Sequence, residues 1–249
     1  MAALADELAA LAPDALVVAA YGRILPARLV AGGRIAINVH PSLLPRHRGA
    51  APVAWTLLRG DGRTGVTLLG VGPEVDAAPM YDQVEVAVRP EDDRGALEGR
   101  LSQLAATRLC VLLDTLATRP DRTLPSVAQT GEATYAPKLG PEDEGIRWDR
   151  PAVDLVRQVR ALAPRPGART ATPDGPLLVL WAQAEAAPPE APVGEVRAGA
   201  DGFPRVACAD GQLRLVRVRP AGKATMDGDA WLRGRARLLG ARLGGEGGA

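Results

Sequence analysis

The sequence predicts an α/β protein that ends in a smaller, strand-rich part, and three observations carry that assignment. Ala15 to Tyr21 (ALVVAAY) is an unbroken apolar run, the pattern of a parallel strand buried on both faces. Leu97, Leu101, Leu104, Ala105, Leu109, Leu112 and Leu116 recur at helical spacing and make one apolar stripe along a long helix. After about residue 170 the apolar residues alternate instead in short runs, the period of strands that form an all-β module.

Taken in order, Ala2 to Leu11 is a helix with Leu4, Leu8 and Leu11 on one side, ended by Pro13. The apolar strand follows, then a loop at Gly22 to Pro26. Arg34 to Val39 is a short buried strand whose period of two puts Asn38 and His40 on one face at its carboxyl end. Open α/β sheets keep their chemistry at that end. Val53 to Arg59 is a short helix, Gly65 to Val71 a strand, and Met80 to Val88 a half-exposed strand. Asp92 or Asp93 caps the long helix through Leu116. Arg119 to Gly145 is rich in Pro, Thr, Gly and Asp and marks a linker. Pro151 opens a helix with Val153, Val156, Val159 and Leu162 facing inward and Arg150, Arg157 and Arg160 on the polar side. Strands follow at Leu177 to Trp181, Gly194 to Val196, Val206 to Cys208 and Leu213 to Val218.

Composition narrows the function. A chain of 249 residues with 47% hydrophobic and 24% charged residues has the balance of a water-soluble globular protein. The net charge of +1 is unevenly spread: from Ile146 onward 16 Arg and Lys face 11 Asp and Glu, and the preceding part is acidic. That excess is modest for gripping a phosphate backbone, and it also suits an ordinary uneven surface. Cys110 and Cys208 form no C-x-x-C pair and suit a reducing compartment. With two histidines in the chain, no metal site is expected. No run of 18 apolar residues occurs, and no membrane span or secretory signal is expected.

Ile35 to Pro52, IAINVHPSLLPRHRGAAP, is the one densely polar cluster with mechanistic content. An amide and an imidazole two residues apart can both donate to one oxygen, which polarises a carbonyl and holds a tetrahedral oxyanion. The imidazole can also carry a proton. On Asn-Val-His alone, the same residues also suit the end of a strand capping its turn. Asp76, in PEVDAAPM, by itself is equally ordinary turn chemistry.

HPSLLPRHRGAAP closely resembles the signature of the folate-dependent formyltransferases, and among them the methionyl-tRNA formyltransferase family. It departs from that pattern in His47, where the family usually has tryptophan, and in Pro41, in place of a small residue. The resemblance covers about Leu8 to Leu243 and implies a Rossmann-like catalytic domain, apparently lacking its N-terminal strands, over 1–122. A linker over 123–145 and an OB-like tRNA-binding β-barrel over 146–249 complete the expected arrangement. The C-terminal module is carried by APRPGA (Ala163 to Ala168), PAGK (Pro220 to Lys223) and WLRG (Trp231 to Gly234).

The resemblance further implies Asn38, His40 and Asp76 as catalytic residues, with Asp76 raising the pKa of His40 above its ordinary value of about 6.5. It implies Gly22, Arg23, Ile24 and Leu25, with Ser42, Leu43, Leu44 and Pro45, as the folate-binding set. The implied reaction is formyl transfer from 10-formyltetrahydrofolate to the amino group of initiator methionyl-tRNA in the cytoplasm, with no metal. Two alternatives stay open: a formyltransferase acting on a small amine, to which Ala78 and Pro79 are nearer, and an inactive RNA-binding remnant. The family carries strand and helix units ahead of the first strand here, which leaves that strand as an expected sheet edge. A late start, a fragment and a remnant that pairs with another chain all fit, and the oligomeric state is open.

Overall fold

The computed structural model of the chain describes residues 2–22, 25, 27–30, 35–185 and 192–244. The chain divides into two compact units, residues 1–56, 61–90 and 96–138 in one and 57–60, 91–95 and 139–249 in the other.

In the first unit, helix α1 (Ala2–Leu11) precedes strand β1 (Ala15–Ala19), and the short helix α2 (Ala27–Val30) precedes strand β2 (Ile35–His40). Helix α3 (Pro52–Arg59), strands β3 (Arg63–Gly70) and β4 (Met80–Ala87), and helix α4 (Arg94–Thr118) follow. The sheet order is β1-β2-β3-β4, with β1 parallel to β2 and the other two pairs antiparallel. The Rossmann-like expectation thus resolves into a mixed α/β sheet. Thr64 to Leu69 of β3 are buried, because a neighbour lies on each side. β4, at an edge, alternates between half-buried and exposed along much of its length. β1 is the other edge among the described residues, and there the expectation of a strand buried on both faces fails: Val17 is 37% exposed. Leu97, Leu101, Ala105, Leu112 and Leu116 of α4 are buried, as their spacing requires.

The second unit contains helix α5 (Ala152–Leu162) and strands β5 (Ala168–Thr172), β6 (Gly175–Glu185), β7 (Val196–Ala198), β8 (Pro204–Ala207), β9 (Gln212–Pro220) and β10 (Met226–Asp227). Helix α6 (Gly228–Leu232) follows. The strands pair antiparallel in the order β5-β6-β9-β8-β7, with β10 also on β9. This path is open among the described residues, so the strands expected for an OB-like barrel form a sheet whose closure is not seen there. Leu155, Val159, Leu162, Val179, Leu213, Leu215 and Trp231 build its core. The inward face of α5 is rotated from the one expected: Leu155 is buried, and Val153 is 49% exposed. The side-chain nitrogen of buried Gln158 is satisfied by donating to the carbonyls of Asp143 and Gly145. Strand β5 was not legible as a strand, since ARTAT has little apolar content, and β6 runs well beyond its expected Leu177 to Trp181 core.

Candidate active site

Parallel pairing places Val18 opposite Asn38 and Ala19 opposite Val39, so the chain leaves β1 and β2 at the same carboxyl edge of the sheet. The site lies at that edge. His40, the last residue of β2, is buried, and Asp76 stands in the turn between β3 and β4 with φ 53°. The Asn38 side chain donates to Asp76 Oδ1 at 2.9 Å, and the main-chain N–H of Gly49 donates to Asp76 Oδ2 at 2.9 Å. His40 Nδ1 lies 3.5 Å from Asp76 Oδ2. Asn38, His40 and Asp76 thus meet around one carboxylate, although His40 and Asp76 are 36 positions apart in the chain.

The other nitrogen of His40 fixes its tautomer. Nε2 lies 2.9 Å from the carbonyl oxygen of His47, and a carbonyl can only accept, so Nε2 carries the proton. Neutral His40 therefore presents a bare Nδ1 towards Asp76. Burial lowers the His40 pKa from its ordinary 6.5; Asp76 and the His47 carbonyl pull it back up, the His47 charge pushes it down, and burial wins. This reverses the expected rise: the carboxylate acts in the expected direction, but desolvation is the larger effect. The arrangement suits a base that is neutral at rest and becomes an imidazolium, stabilised by Asp76, only when it has taken a proton.

The loop after β2 is built inward. Ser42 is fully buried and donates its hydroxyl to the carbonyl of Arg46 at 2.6 Å, while Thr67 of β3 donates to the Ser42 carbonyl at 2.7 Å. Gln83 of β4 donates to the Leu44 carbonyl at 3.0 Å. The Ser42 and Leu44 side chains are thus buried within the loop, whereas Leu43 and Pro45 are half-buried. Gly22 is exposed with φ 65° and Leu25 is half-buried; Arg23 and Ile24 lie outside the described residues. Arg46 and Arg48 brace the structure: Arg46 pairs with Asp61 at 2.6 Å, and Arg48 bonds Gln129 and Glu74 at 2.8 and 3.0 Å.

Part of the site carried no sequence signal. The segment that composition marks as a linker is woven into the active loop: the main chain of Arg48 bonds that of Thr134 and Ala136, and Thr134 also bonds Pro45. Gln129 donates to the carbonyls of Asp76 and Ala78 at 2.8 and 2.9 Å, holding the aspartate turn. Polar residues in a Pro- and Thr-rich stretch look like tether until their partners are seen. Beside the turn lies a cavity of about 530 Å³ lined by Ile35, Gly70, Gly72, Ala78 and Tyr81 among others. Burial pushes the Tyr81 phenol up, which keeps it a neutral donor. Among the described residues no group of three or more His, Cys, Asp or Glu side chains could hold a metal ion, and no helix is long and apolar enough to cross a membrane.

The family described as formyl transferase matches residues 1–112, and the formyl transferase C-terminal domain matches residues 138–236. The chain is 40% identical over 241 residues to a methionyl-tRNA formyltransferase of Methylococcus capsulatus, covering 96% of this chain and 77% of the relative. It is 42% identical over 242 residues to one of Gluconacetobacter diazotrophicus, covering 93% and 73%. Among solved structures, methionyl-tRNA formyltransferase from Clostridium thermocellum superposes with a TM-score of 0.60 at 18% identity, covering 73% of this chain and 77% of that one. HypX from Aquifex aeolicus in complex with tetrahydrofolic acid gives 0.66 at 20% identity, covering 92% and 40%. At these identities the two structures support the formyltransferase fold.

Proposed function

Because this chain belongs to the methionyl-tRNA formyltransferase family, we propose that Asn38, His40 and Asp76 are the groups with which it formylates methionyl-tRNA. The reaction moves the formyl group of 10-formyltetrahydrofolate to the amino group of methionine on initiator tRNA.

The carrying observation is the placement of the His40 ring, with Nε2 2.9 Å from the His47 carbonyl and Nδ1 3.5 Å from Asp76 Oδ2, from which we infer the Nε2–H tautomer in neutral His40. The methionyl amine attacks the formyl carbon, and the carbonyl oxygen becomes an oxyanion. The second N–H of the Asn38 amide points its charge at that oxygen. His40 Nδ1 takes the proton released by the amine and, as an imidazolium, becomes the second donor to the oxyanion. It then gives the proton to the departing nitrogen of the folate as the carbon–nitrogen bond breaks. Asp76 supports the charge that His40 carries between those two steps.

For the folate we keep Gly22 to Leu25 and Ser42 to Pro45 as the candidate binding set; the 530 Å³ cavity, lined by Ile35, Ala36, Gly70 and Tyr81, lies instead beside the amino end of β2. In this reading residues 1–122 make the catalytic domain, onto whose active loop the stretch up to residue 138 is packed, and 146–249 contact tRNA. The open path of the second sheet is compatible with an OB-like module, which is itself a partly open barrel. Arg233, Arg235 and Arg237 line an open cavity of about 710 Å³ with Asp174 and are the arginines we assign to phosphate. The cytoplasm, where initiator tRNA is charged, is the matching compartment.

The test is formyl transfer from 10-formyltetrahydrofolate to methionyl initiator tRNA by the whole chain, with His40→Ala as control. Transfer that survives in the control overturns the assignment of His40, and transfer to a free small amine with none to the tRNA overturns the substrate.

A further inference from the structure

We propose that His47 is a positioning residue for His40: its imidazole, clamped on Asp61, holds the turn whose carbonyl keeps the His40 proton on Nε2. The inference rests on the reading of His40 as the proton carrier, and it assigns a role to a residue and a carboxylate outside the catalytic trio.

His47 has φ 61°, a left-handed conformation that a residue with a Cβ keeps only where its surroundings hold it. Three groups of this residue are held. Its ring Nε2 lies 2.6 Å from Asp61 Oδ2, its main-chain N–H donates to Thr134 Oγ1 at 2.9 Å, and its carbonyl accepts from His40 at 2.9 Å. The ring is 3% exposed and the carboxylate 16% exposed, so the pair is shielded from water. Asp61 is anchored in turn: its N–H donates to the Thr56 carbonyl at 3.0 Å, and its Oδ1 accepts from half-exposed Arg46 at 2.6 Å. The charged groups that face His40 are Asp76 and His47; those around His47 are Asp61 and, through it, Arg46.

The geometry has one chemical consequence. A change in the His47 backbone swings its carbonyl away from His40, and Nε2–H then loses its acceptor. Neutral His40 is then free to move its proton to Nδ1, where Asp76 would accept it. That tautomer has no lone pair towards the attacking amine and cannot serve as the base. The clamp therefore selects the reactive tautomer, and it does so without touching substrate.

The chain has two histidines, so 15N-histidine labelling of the whole protein gives two rings to follow by two-bond proton–nitrogen correlation NMR, with His47→Asn to assign them. The wild-type His40 ring is expected as the Nε2–H tautomer. In Asp61→Asn and in His47→Asn, whose asparagine still tolerates a left-handed backbone, a mixture of tautomers is expected. With it, kcat falls by about 10- to 100-fold with little change in the KM for 10-formyltetrahydrofolate. Asp61→Glu should restore part of both readouts. A wild-type ring with its proton on Nδ1 overturns the proposal, and that arm needs no variant to fold. A loss of kcat in Asp61→Asn with the His40 tautomer and the pH profile unmoved also overturns it, leaving Asp61 a purely structural role. If instead His40→Ala retains activity, the reading of the active site fails while the tautomer result still stands by itself.

Discussion

The Asn38 side chain donates one N–H to Oδ1 of Asp76 across 2.9 Å, which turns the amide so that oxyanion donor and carboxylate are one unit. A primary amide has a second N–H, and that one is left for the substrate oxygen. In the proposed mechanism Asn38 thus has two tasks, orienting Asp76 and stabilising the oxyanion.

Asn38→Ala removes both. Loss of one oxyanion donor costs about 100- to 1,000-fold in kcat. The KM for the folate should change much less, because the donor acts mainly on charge that develops in the transition state. Steady-state kinetics at saturating tRNA reads the split; a raised KM with kcat intact would make Asn38 a ground-state binding residue instead.

The pH profile follows from the burial of His40. Its pKa is lowered from 6.5, so the neutral base persists to more acid pH than a free imidazole allows, and the acid limb of kcat/KM should fall below pH 6.5. Asp76 raises this pKa, so Asp76→Asn should move the limb further down while kcat falls. Stability has its own sign: the unfolded chain holds the proton more tightly, so the contribution of neutral His40 is full above pH 6.5 and is lost as pH drops through the folded value. Denaturant melts of wild type and His40→Ala across that window measure it.

Gly49 has φ 118°, and a Cβ there would lie 2.8 Å from the carbonyl oxygen of Ala136. Its N–H also holds Asp76. Gly49→Ala must therefore strain the backbone or push two segments apart. The expected loss is about 1–3 kcal/mol of stability by denaturant unfolding. A misplacement of the carboxylate by 1 Å would lower kcat by about 100-fold. A stable, fully active variant would show that the loop relaxes without cost.

Asn38, His40 and Asp76 were reached through the resemblance carried by HPSLLPRHRGAAP, since Asp76 in its short turn has no local signal of its own, and the structure brings the three side chains together. The sequence itself made the α4 stripe legible, since helical periodicity survives any tertiary context. What it could not convey was the balance of opposing effects. Asp76 near His40 implied a raised pKa, but the burial that lowers it is a sum over packed neighbours that no motif encodes. Gln129 and Thr134 were hidden for a related reason: their partners Asp76 and His47 lie 53 and 87 residues away. Closure of the OB-like barrel was not legible either, since alternation gives strands but not whether the first strand meets the last.

The last prediction concerns the tRNA side. Asp174 lies 2.7 Å from an Arg237 nitrogen and 3.3 Å from one of Arg235, so this carboxylate already neutralises part of the charge we assign to phosphate. Arg237 is 72% exposed and the pair is solvated, which leaves it free to exchange a carboxylate for a phosphate oxygen. Arg237→Gln should weaken tRNA binding and reduce the slope of log affinity against log salt by about 0.7 to 0.9, the share of one phosphate contact. Asp174→Asn should act in the opposite direction and tighten binding at low salt, because the competing anion is gone. Titrations of the two whole-chain variants with labelled initiator tRNA over a salt series check both signs. Unchanged slopes in both variants would move the RNA contact away from this face.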